Sequence, residues 1–105
     1  MAPYETLLAP VGAPNPTSQS VTATVASTAE QAISGNTTAG SVYEFVAAGN
    51  AHVAFGVTGM SAADTTCALI TTTPRRFFIN PSLVTHIRAI RNGAADVIVS
   101  FQRVR

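Results

Sequence analysis

The sequence predicts an all-β fold, either an antiparallel β-sandwich or a small jelly-roll-like barrel, with about seven short strands. Three observations predict this fold. Apolar and polar residues alternate with a period of two in several short runs. Turn-forming residues interrupt these runs about every 8–12 residues, as they do in all-β domains. No run keeps a helical period for longer than one turn.

Residues 1–19 are predicted to form an extended, proline-rich N-terminal arm, and residues 20–105 a β-sandwich domain. The arm holds four of the six prolines, which lack an amide donor and do not suit central strands. A disordered linker has few apolar groups, so we expect this segment to become ordered by docking on a neighbour. The alternative is a flexible N-terminus. The expected anchors are Tyr4, Leu7, Leu8 and Val11.

Alternation predicts four strands in the first half of the domain. Valine and alanine alternate with threonine over residues 21–25, which indicates a half-buried strand, and residues 30–33 form a short continuation. Residues 42–47 and 52–57 are predicted to be two further strands. Because the pair Gly49-Asn50 separates these two with turn residues, they are predicted to form a hairpin.

Residues 59–73 carry the weakest pattern. Residues 60–63 are predicted to form one helical turn with Ser61 as its N-cap. Residues 67–70 are an apolar run that is too short to assign by its period. Cys67 lies in this run with no basic neighbour in sequence, and we expect it to be a buried, inert thiol.

Three strands are predicted in the last part of the chain, at residues 75–79, 84–91 and 96–104. The pair Asn92-Gly93 predicts a tight hairpin between the second and the third, because it readily adopts the positive φ of such turns. In the third strand one face is predicted to consist of Val97, Val99 and Phe101, and the other of Ile98, Ser100 and Gln102.

The strand at 75–79 places its two phenylalanines on opposite faces. Phe77 shares a face with Arg75 and Ile79, whereas Phe78 shares the other with Arg76. One phenylalanine is therefore predicted to lie in the core and the other at an interface. Arginines beside aromatic rings also resemble a binder of single-stranded nucleic acid, but the whole chain carries a net charge of only +1. No nucleic-acid partner is expected.

Charge is scarce in this chain. Charged residues make up 10% of the sequence and none of them is lysine, whereas a typical soluble domain has about 25%. A monomer in water normally relies on mixed surface charges for solubility. The composition therefore indicates that much of the surface packs against other subunits, as in an assembly component.

The charges that exist are unevenly distributed. Residues 1–74 hold four acids and no arginine, for a charge of −4, while residues 75–105 hold six arginines and one acid, for +5. Opposite charges on the two parts of the chain favour head-to-tail contact between copies. In the folded domain the two parts can also neutralise each other across a sheet. Arginine suits interfaces because its planar group holds carboxylates and carbonyls bidentately. The candidate interface arginines are Arg75, Arg76, Arg88, Arg91, Arg103 and Arg105.

No catalytic, cofactor or metal site is predicted. His52 and His86 are expected to be polar groups at the surface or at an interface, since neither belongs to a catalytic motif or a ligand cluster. A single cysteine excludes an intrachain disulfide. The sequence shows neither a signal peptide nor an apolar run long enough for a membrane span, so synthesis in the cytoplasm is expected. The chain is expected not to be an enzyme.

Several segments together resemble a family. Residues 42–56 (VYEFVAAGNAHVAFG) precede a variable Ala/Thr segment, then PRRFFINP at 74–81 and VTHIRAI at 84–90, before a closing strand after a glycine turn. This order is similar to that of small virion proteins of tailed bacteriophages. The similarity covers residues 20–104 and rests on strand patterns. Neither the proline-rich arm nor the arginine-rich end belongs to the family pattern.

The resemblance implies a β-sandwich subunit of a virus particle that is assembled in the host cytoplasm. The implied role is capsid decoration or cement, in which dimers or trimers bind and stabilise the shell of the major capsid protein. A tail, neck or fibre-attachment component is the alternative, and copy number per particle separates the two. A host-surface carbohydrate-binding module is a third possibility, but it usually needs exposed Trp or Tyr, and only Tyr4 and Tyr43 are present.

Overall fold

The computed structural model describes residues 18–104, which form eight strands in two sheets. No helix occurs in this part of the chain, and so none that could cross a membrane. The strands are β1 (Gln19–Ala23), β2 (Gln31–Ala32), β3 (Ser41–Ala47), β4 (Ala51–Gly56), β5 (Ala68–Ile70), β6 (Arg75–Ile79), β7 (His86–Arg91) and β8 (Val97–Arg103).

The two sheets pack face to face as a jelly roll. Sheet A has the strand order β1-β8-β3-β6 and sheet B the order β2-β7-β4-β5, with every neighbouring pair antiparallel. The chain changes sheet at each connection except that between β4 and β5. This order, two Greek keys shared between two four-stranded sheets, defines an eight-stranded jelly roll. The predicted all-β antiparallel sandwich is confirmed.

Period-two alternation places one side of each sheet in the core. In β3, every second residue from Ser41 to Ala47 is buried, and in β8 the face formed by Val97, Val99 and Phe101 is the buried one. The largest fully buried side chains are Tyr43, Phe45, Val53, Ile70, Ile87, Val99 and Phe101. They come from both sheets, so a single core holds the two layers together.

Phe45 is the centre of an aromatic group that joins the two sheets. Its ring stacks on Phe101 of sheet A with centroids 5.0 Å apart, and it meets Phe55 of sheet B edge-on at 5.5 Å. Phe77 also meets it edge-on, at 5.6 Å. Aromatic pairs of this kind add about 0.5–1.5 kcal/mol each beyond the burial of their surface.

Both predicted hairpins are wrong. β3 lies in sheet A and β4 in sheet B, and the same division separates β8 from β7. The Gly49-Asn50 and Asn92-Gly93 segments do reverse the chain, and Gly93 has a φ of +141°. At each of these turns the chain crosses from one sheet to the other, so the two strands that flank the turn do not pair. The partner of each strand is distant in sequence, as in the pairing of Phe45 with Phe101.

Residues 57–70 also differ from the prediction. The expected helical turn at 60–63 is absent, because this segment is an irregular connection. The short apolar run that carried no assignment contains β5, which raises the strand count from seven to eight. The first strand begins at Gln19, one residue inside the predicted arm, and the rest of that arm lies outside the described residues.

Candidate protein interface

The outer face of sheet B is covered by the chain itself. The β4–β5 connection, residues 57–67, crosses this face, and Met60 lies so close to Gly56 of β4 that a Cβ on the glycine would be 2.9 Å from the Cβ of Met60. In the same connection, the amide of Gly59 donates to Glu30 Oε1 and the amide of Ala63 donates to Ser27 Oγ, both at 2.8 Å. These bonds fasten the connection to the segment between β1 and β2.

Arg88 holds the two covering segments together. Its side chain projects from the outer face of β7, donating from Nε to the carbonyl oxygen of Thr28 at 2.8 Å and from Nη1 to that of Met60 at 3.0 Å. One guanidinium thus serves both loops. Its planar fork can bridge two acceptors in a way that an ammonium group does not.

On the outer face of sheet A, Gly40 of the β2–β3 loop packs against the ring of Phe78. Two apolar side chains of this face are largely exposed: Phe78 of β6 at 62% and Ile98 of β8 at 53%. Two valines of β3 are half-buried between them. We define this face by its outward residues, which are Ser20, Thr22, Val42, Glu44, Val46, Arg76, Phe78, Ile98, Ser100 and Gln102.

A shallow groove of about 220 Å³ lies within the sheet A face. Its walls are formed by side chains from β3 and β8, and its rim includes Ser18, the first described residue. The lining combines hydroxyl, amide and carboxylate groups with an apolar valine: Glu44, Val46, Ser100 and Gln102. A side chain that is apolar along its length and polar at its end fits such a lining.

Glu44 and Arg76 form an ion pair in the middle of this face. Glu44 and Arg76 are cross-strand neighbours in β3 and β6, and Arg76 Nε donates to Glu44 Oε2 at 3.1 Å. Gln102 of β8 completes the same row. The pair agrees with the expectation that acids of the first part of the chain can neutralise arginines of the last part across a sheet. Exposed pairs of this type stabilise a fold by about 0–1 kcal/mol.

The predicted separation of the two phenylalanines is observed. Phe77 packs against the core cluster, whereas Phe78 points outward on the sheet A face. Arg75 lies beside Phe77, with its guanidinium carbon 4.9 Å from the ring centroid, and donates from Nη1 to the carbonyl oxygen of Leu69 at 2.8 Å. Arg75 therefore links the edge strands β6 and β5 of the two sheets.

The candidate arginines do not form one cluster. Arg76 belongs to the sheet A face, while Arg88 lies under the loops of sheet B. Arg91 pairs through Nη1 with Asp96 Oδ1 at 2.9 Å, close to the β7–β8 turn, and its buried Nε has no acceptor within the described part of the chain. The remaining candidates, Tyr4, Leu7, Leu8, Val11 and Arg105, lie outside the described residues.

Arg103 lies opposite Tyr43 in the pairing of β8 with β3. Burial raises the pKa of the Tyr43 hydroxyl, and the charge of Arg103 opposes this only in part. The same hydroxyl donates to the carbonyl oxygen of Ser34 at 2.8 Å. Tyr43 therefore serves as a buried, hydrogen-bonded core residue.

The sequence-based interpretation missed the apolar part of the sheet A face. It placed Ile98 on one face with Ser100 and Gln102 and gave it no role, and it did not select Val42 or Val46. The available signal was the outward position of an isoleucine beside Ser100. An outward isoleucine on a charge-poor strand is typical of an interface.

His52 is buried, so its expected place at the surface is wrong. Its Nδ1 lies 3.0 Å from the carbonyl oxygen of Cys67 and therefore carries the proton, which leaves Nε2 to accept from Asn92 Nδ2, also at 3.0 Å. His86 is half-buried, and its Nδ1 lies 2.8 Å from the hydroxyl oxygen of Thr85. Hydrogen bonds within the chain thus occupy both ring nitrogens of His52.

Asp64 and Cys67 meet in the turn that precedes β5. Hydrogen bonds from the hydroxyl and amide of Thr66 lower the pKa of the Asp64 carboxyl, with a smaller contribution from the Cys67 thiol. Cys67 is half-buried rather than fully buried, and its Sγ lies 3.7 Å from Asp64 Oδ1. No group of three potential metal ligands occurs among residues 18–104.

Comparisons with protein-family models, with curated proteins and with solved structures gave no match. The candidate interface of the described residues is the sheet A face. It offers apolar contact area, side-chain hydrogen-bonding groups and the Glu44–Arg76 ion pair, which together suit packing against another protein surface.

Proposed function

We propose that this chain is a structural protein of a virus particle, and specifically a capsid decoration or cement protein that binds the shell of the major capsid protein. The observation that carries the proposal is the outer face of sheet A, which exposes Phe78 and Ile98, on a chain in which 10% of residues are charged. Isolated domains rarely leave such a face in water. Subunits of an assembly can do so because neighbours cover it.

The fold is compatible with this role. Jelly rolls of two four-stranded sheets build viral capsid domains, although lectins and cupins use them too. Fold alone therefore gives only an analogy. The resemblance of the strand pattern in residues 20–104 to small phage virion proteins is the reason for proposing a virus particle among these assemblies.

The proposed mechanism is mechanical. A bound subunit that touches two capsid subunits adds contacts that must break before the shell can open. Several such contacts within one oligomer act together, so each can be weak while the oligomer binds tightly. The arm adds reach: at about 3.3 Å per residue, its first 17 residues can span up to about 56 Å. The described domain measures 41 Å along its longest axis.

The proposal is tested by reconstitution on shells that lack the chain. Added wild-type protein should bind to saturation and raise the temperature at which the particles release their contents. Ile98→Asp should bind more weakly, because it puts a charge on the sheet A face. Leu83→Asp is the matched control, since Leu83 is exposed at 70% on the β6–β7 connection and lies outside this face.

Deleting residues 2–17 should leave the sandwich folded and weaken its binding to the shell. A truncated chain that bound with unchanged affinity would remove the arm from the mechanism. Failure of the wild-type chain to bind shells, while the same shells accept an authentic decoration protein, would contradict the proposed function as a whole.

A further inference from the structure

We propose that Asn92 is a site of spontaneous modification. Its side-chain amide is lost to water through a cyclic imide formed with the nitrogen of Gly93, and the carboxylate of the aspartate product then pairs with His52. The proposal concerns the chemistry of the turn between β7 and β8 and does not depend on the proposed role in a virus particle.

The first argument is the residue that follows each described asparagine. Asn92 precedes a glycine, which leaves the next backbone nitrogen without a side chain to crowd it. Asn80 precedes a proline, which has no amide proton to lose. Asn50 precedes the buried alanine that begins β4, and Asn36 precedes a β-branched threonine. Among these four positions, Asn92 is therefore the one with an accessible neighbouring nitrogen.

The second argument is the openness of the turn. Residues 92–96 are exposed, and a Cβ added to Gly93 would have nothing within 4 Å. Gly93 has a φ of +141°, which glycine adopts without strain. No acceptor among residues 18–104 takes the amide proton of Gly93. This nitrogen can therefore give its proton to a base in solution and approach the side chain of Asn92 without breaking any packing.

The reaction needs only water and a base. The deprotonated Gly93 nitrogen attacks Cγ of Asn92, and the new C–N bond closes a five-membered imide. Such an intramolecular attack is favoured because both groups belong to neighbouring residues. The bond from Cγ to Nδ2 breaks, and Nδ2 takes a proton from water and leaves as ammonia. Water then opens the imide at one carbonyl to give aspartate, or at the other to give isoaspartate, and nothing is oxidised or reduced.

The third argument is the contact between Asn92 and His52. Asn92 Nδ2 donates to His52 Nε2, and His52 Nδ1 donates to the carbonyl oxygen of Cys67, both at 3.0 Å. An aspartate at position 92 has no proton to donate, so Nε2 must take one up to keep the bond. An opposite charge at this distance favours the charged imidazole, and the carboxylate of Asp64 acts in the same direction. The modification thus converts a neutral hydrogen bond into an ion pair.

The experiment follows the folded, full-length chain at mildly alkaline pH by mass spectrometry. Trypsin cuts after arginine and releases residues 92–103 as one peptide, in which fragment ions separate Asn92 from Gln102. Aspartate and isoaspartate should accumulate at Asn92, while Asn50 keeps its amide in the same sample. Gly93→Ala crowds the attacking nitrogen and should slow the reaction at least about tenfold, which is about 1.4 kcal/mol in the barrier.

Nitrogen NMR of the histidine rings tests the ion pair. Asn92→Asp is the aspartate product made directly, and at neutral pH it should carry a proton on both ring nitrogens of His52. The wild-type ring should carry one, on Nδ1. Asn92→Gln keeps an amide and should leave this ring neutral. His86 lies at the other end of β7 and should give the same signals in all three chains.

Three results would contradict the proposal. If Asn92 keeps its amide in the folded chain while the same chain reacts in urea, the folded turn shields the side chain. Equal rates in wild type and Gly93→Ala would exclude the Gly93 nitrogen as the attacking group. A neutral His52 in Asn92→Asp would remove the ion pair. The comparison of folded and unfolded wild type needs no substitution, so it decides the first point even where a variant disturbs the turn.

Discussion

The ring of Phe78 lies directly over the backbone of Gly40. A Cβ at Gly40 would come within 2.6 Å of Phe78 Cζ and 2.9 Å of the carbonyl oxygen of Ile79, and Gly40 has a φ of +97°. Glycine is needed here both for its backbone conformation and for the space that it leaves. This contact fixes the aromatic end of the sheet A face.

Replacing Gly40 by alanine should therefore cost more than the same change at a glycine with free space. Gly59 has a similar φ of +85° but nothing within 4 Å of its would-be Cβ. We expect Gly59→Ala to lose about 1 kcal/mol of unfolding free energy from backbone strain. Gly40→Ala should lose about 2–4 kcal/mol, since Phe78 and the strand must also shift. Urea unfolding measures both, and equal losses would show that Phe78 does not pack there.

Arg88→Met should loosen the cover of sheet B. It introduces an unbranched apolar side chain and removes the guanidinium that donates to the carbonyl groups of Thr28 and Met60, at a cost of about 1–3 kcal/mol. Amide hydrogen exchange should speed up at Gly59 and Ala63. Arg75→Met is the control, because its single bond to Leu69 lies at an exposed edge and those two amides should keep their protection. Unchanged exchange in Arg88→Met would contradict the role of Arg88.

Tyr43 should make the fold sensitive to alkaline pH. Its pKa is raised from the ordinary value of 10.0 by burial, so the unfolded chain loses this proton at a lower pH than the folded chain does. Stability is then complete below about pH 10 and falls as the pH rises through the folded pKa. Tyr43→Phe should remove this fall, after a loss of about 0.5–1.5 kcal/mol at neutral pH from the bond to Ser34.

Tyr4→Phe is the matched control for this measurement, since Tyr4 is the other tyrosine of the sequence. Urea unfolding between pH 8 and 11 should show the alkaline loss in wild type and in Tyr4→Phe. A persistent loss in Tyr43→Phe would assign it to another group.

The inner and outer phenylalanines of sheet A should differ sharply in their contribution to stability. Phe45 is fully buried in the aromatic group, and its replacement by alanine should cost about 3–5 kcal/mol. Phe78→Ala removes a largely exposed ring and should cost under about 1 kcal/mol. Urea midpoints of the two variants test this order. A larger loss for Phe78→Ala would place its ring in the core instead.

The sequence predicts the positions of the strands better than it predicts which strands pair with each other. Alternation located β3, β6 and β8 and separated Phe77 from Phe78, because the pleat imposes a period of two on any half-buried strand. The partner of a strand is set by packing across the whole domain. Local turn residues such as Asn92-Gly93 therefore suggested hairpins where the chain in fact changes sheet.

The candidate site was predictable only in part. Outward alternation was enough to suggest a surface role for Phe78 or Phe77, but not to choose between them, because the choice depends on the pairing of Phe77 with Tyr43. The contacts of Arg88 could not be foreseen either. They arise from two loops that approach the same strand from different parts of the sequence.

The most direct test of the account is the amount of this chain in purified virus particles from cells that produce it. Calibrated mass spectrometry would compare it with the major capsid protein, and an image reconstruction would locate it. We predict a fixed ratio of the two proteins over the whole shell, with the chain on the outer surface. A few copies at one vertex would move it to the tail or neck, and its absence from particles would contradict the account.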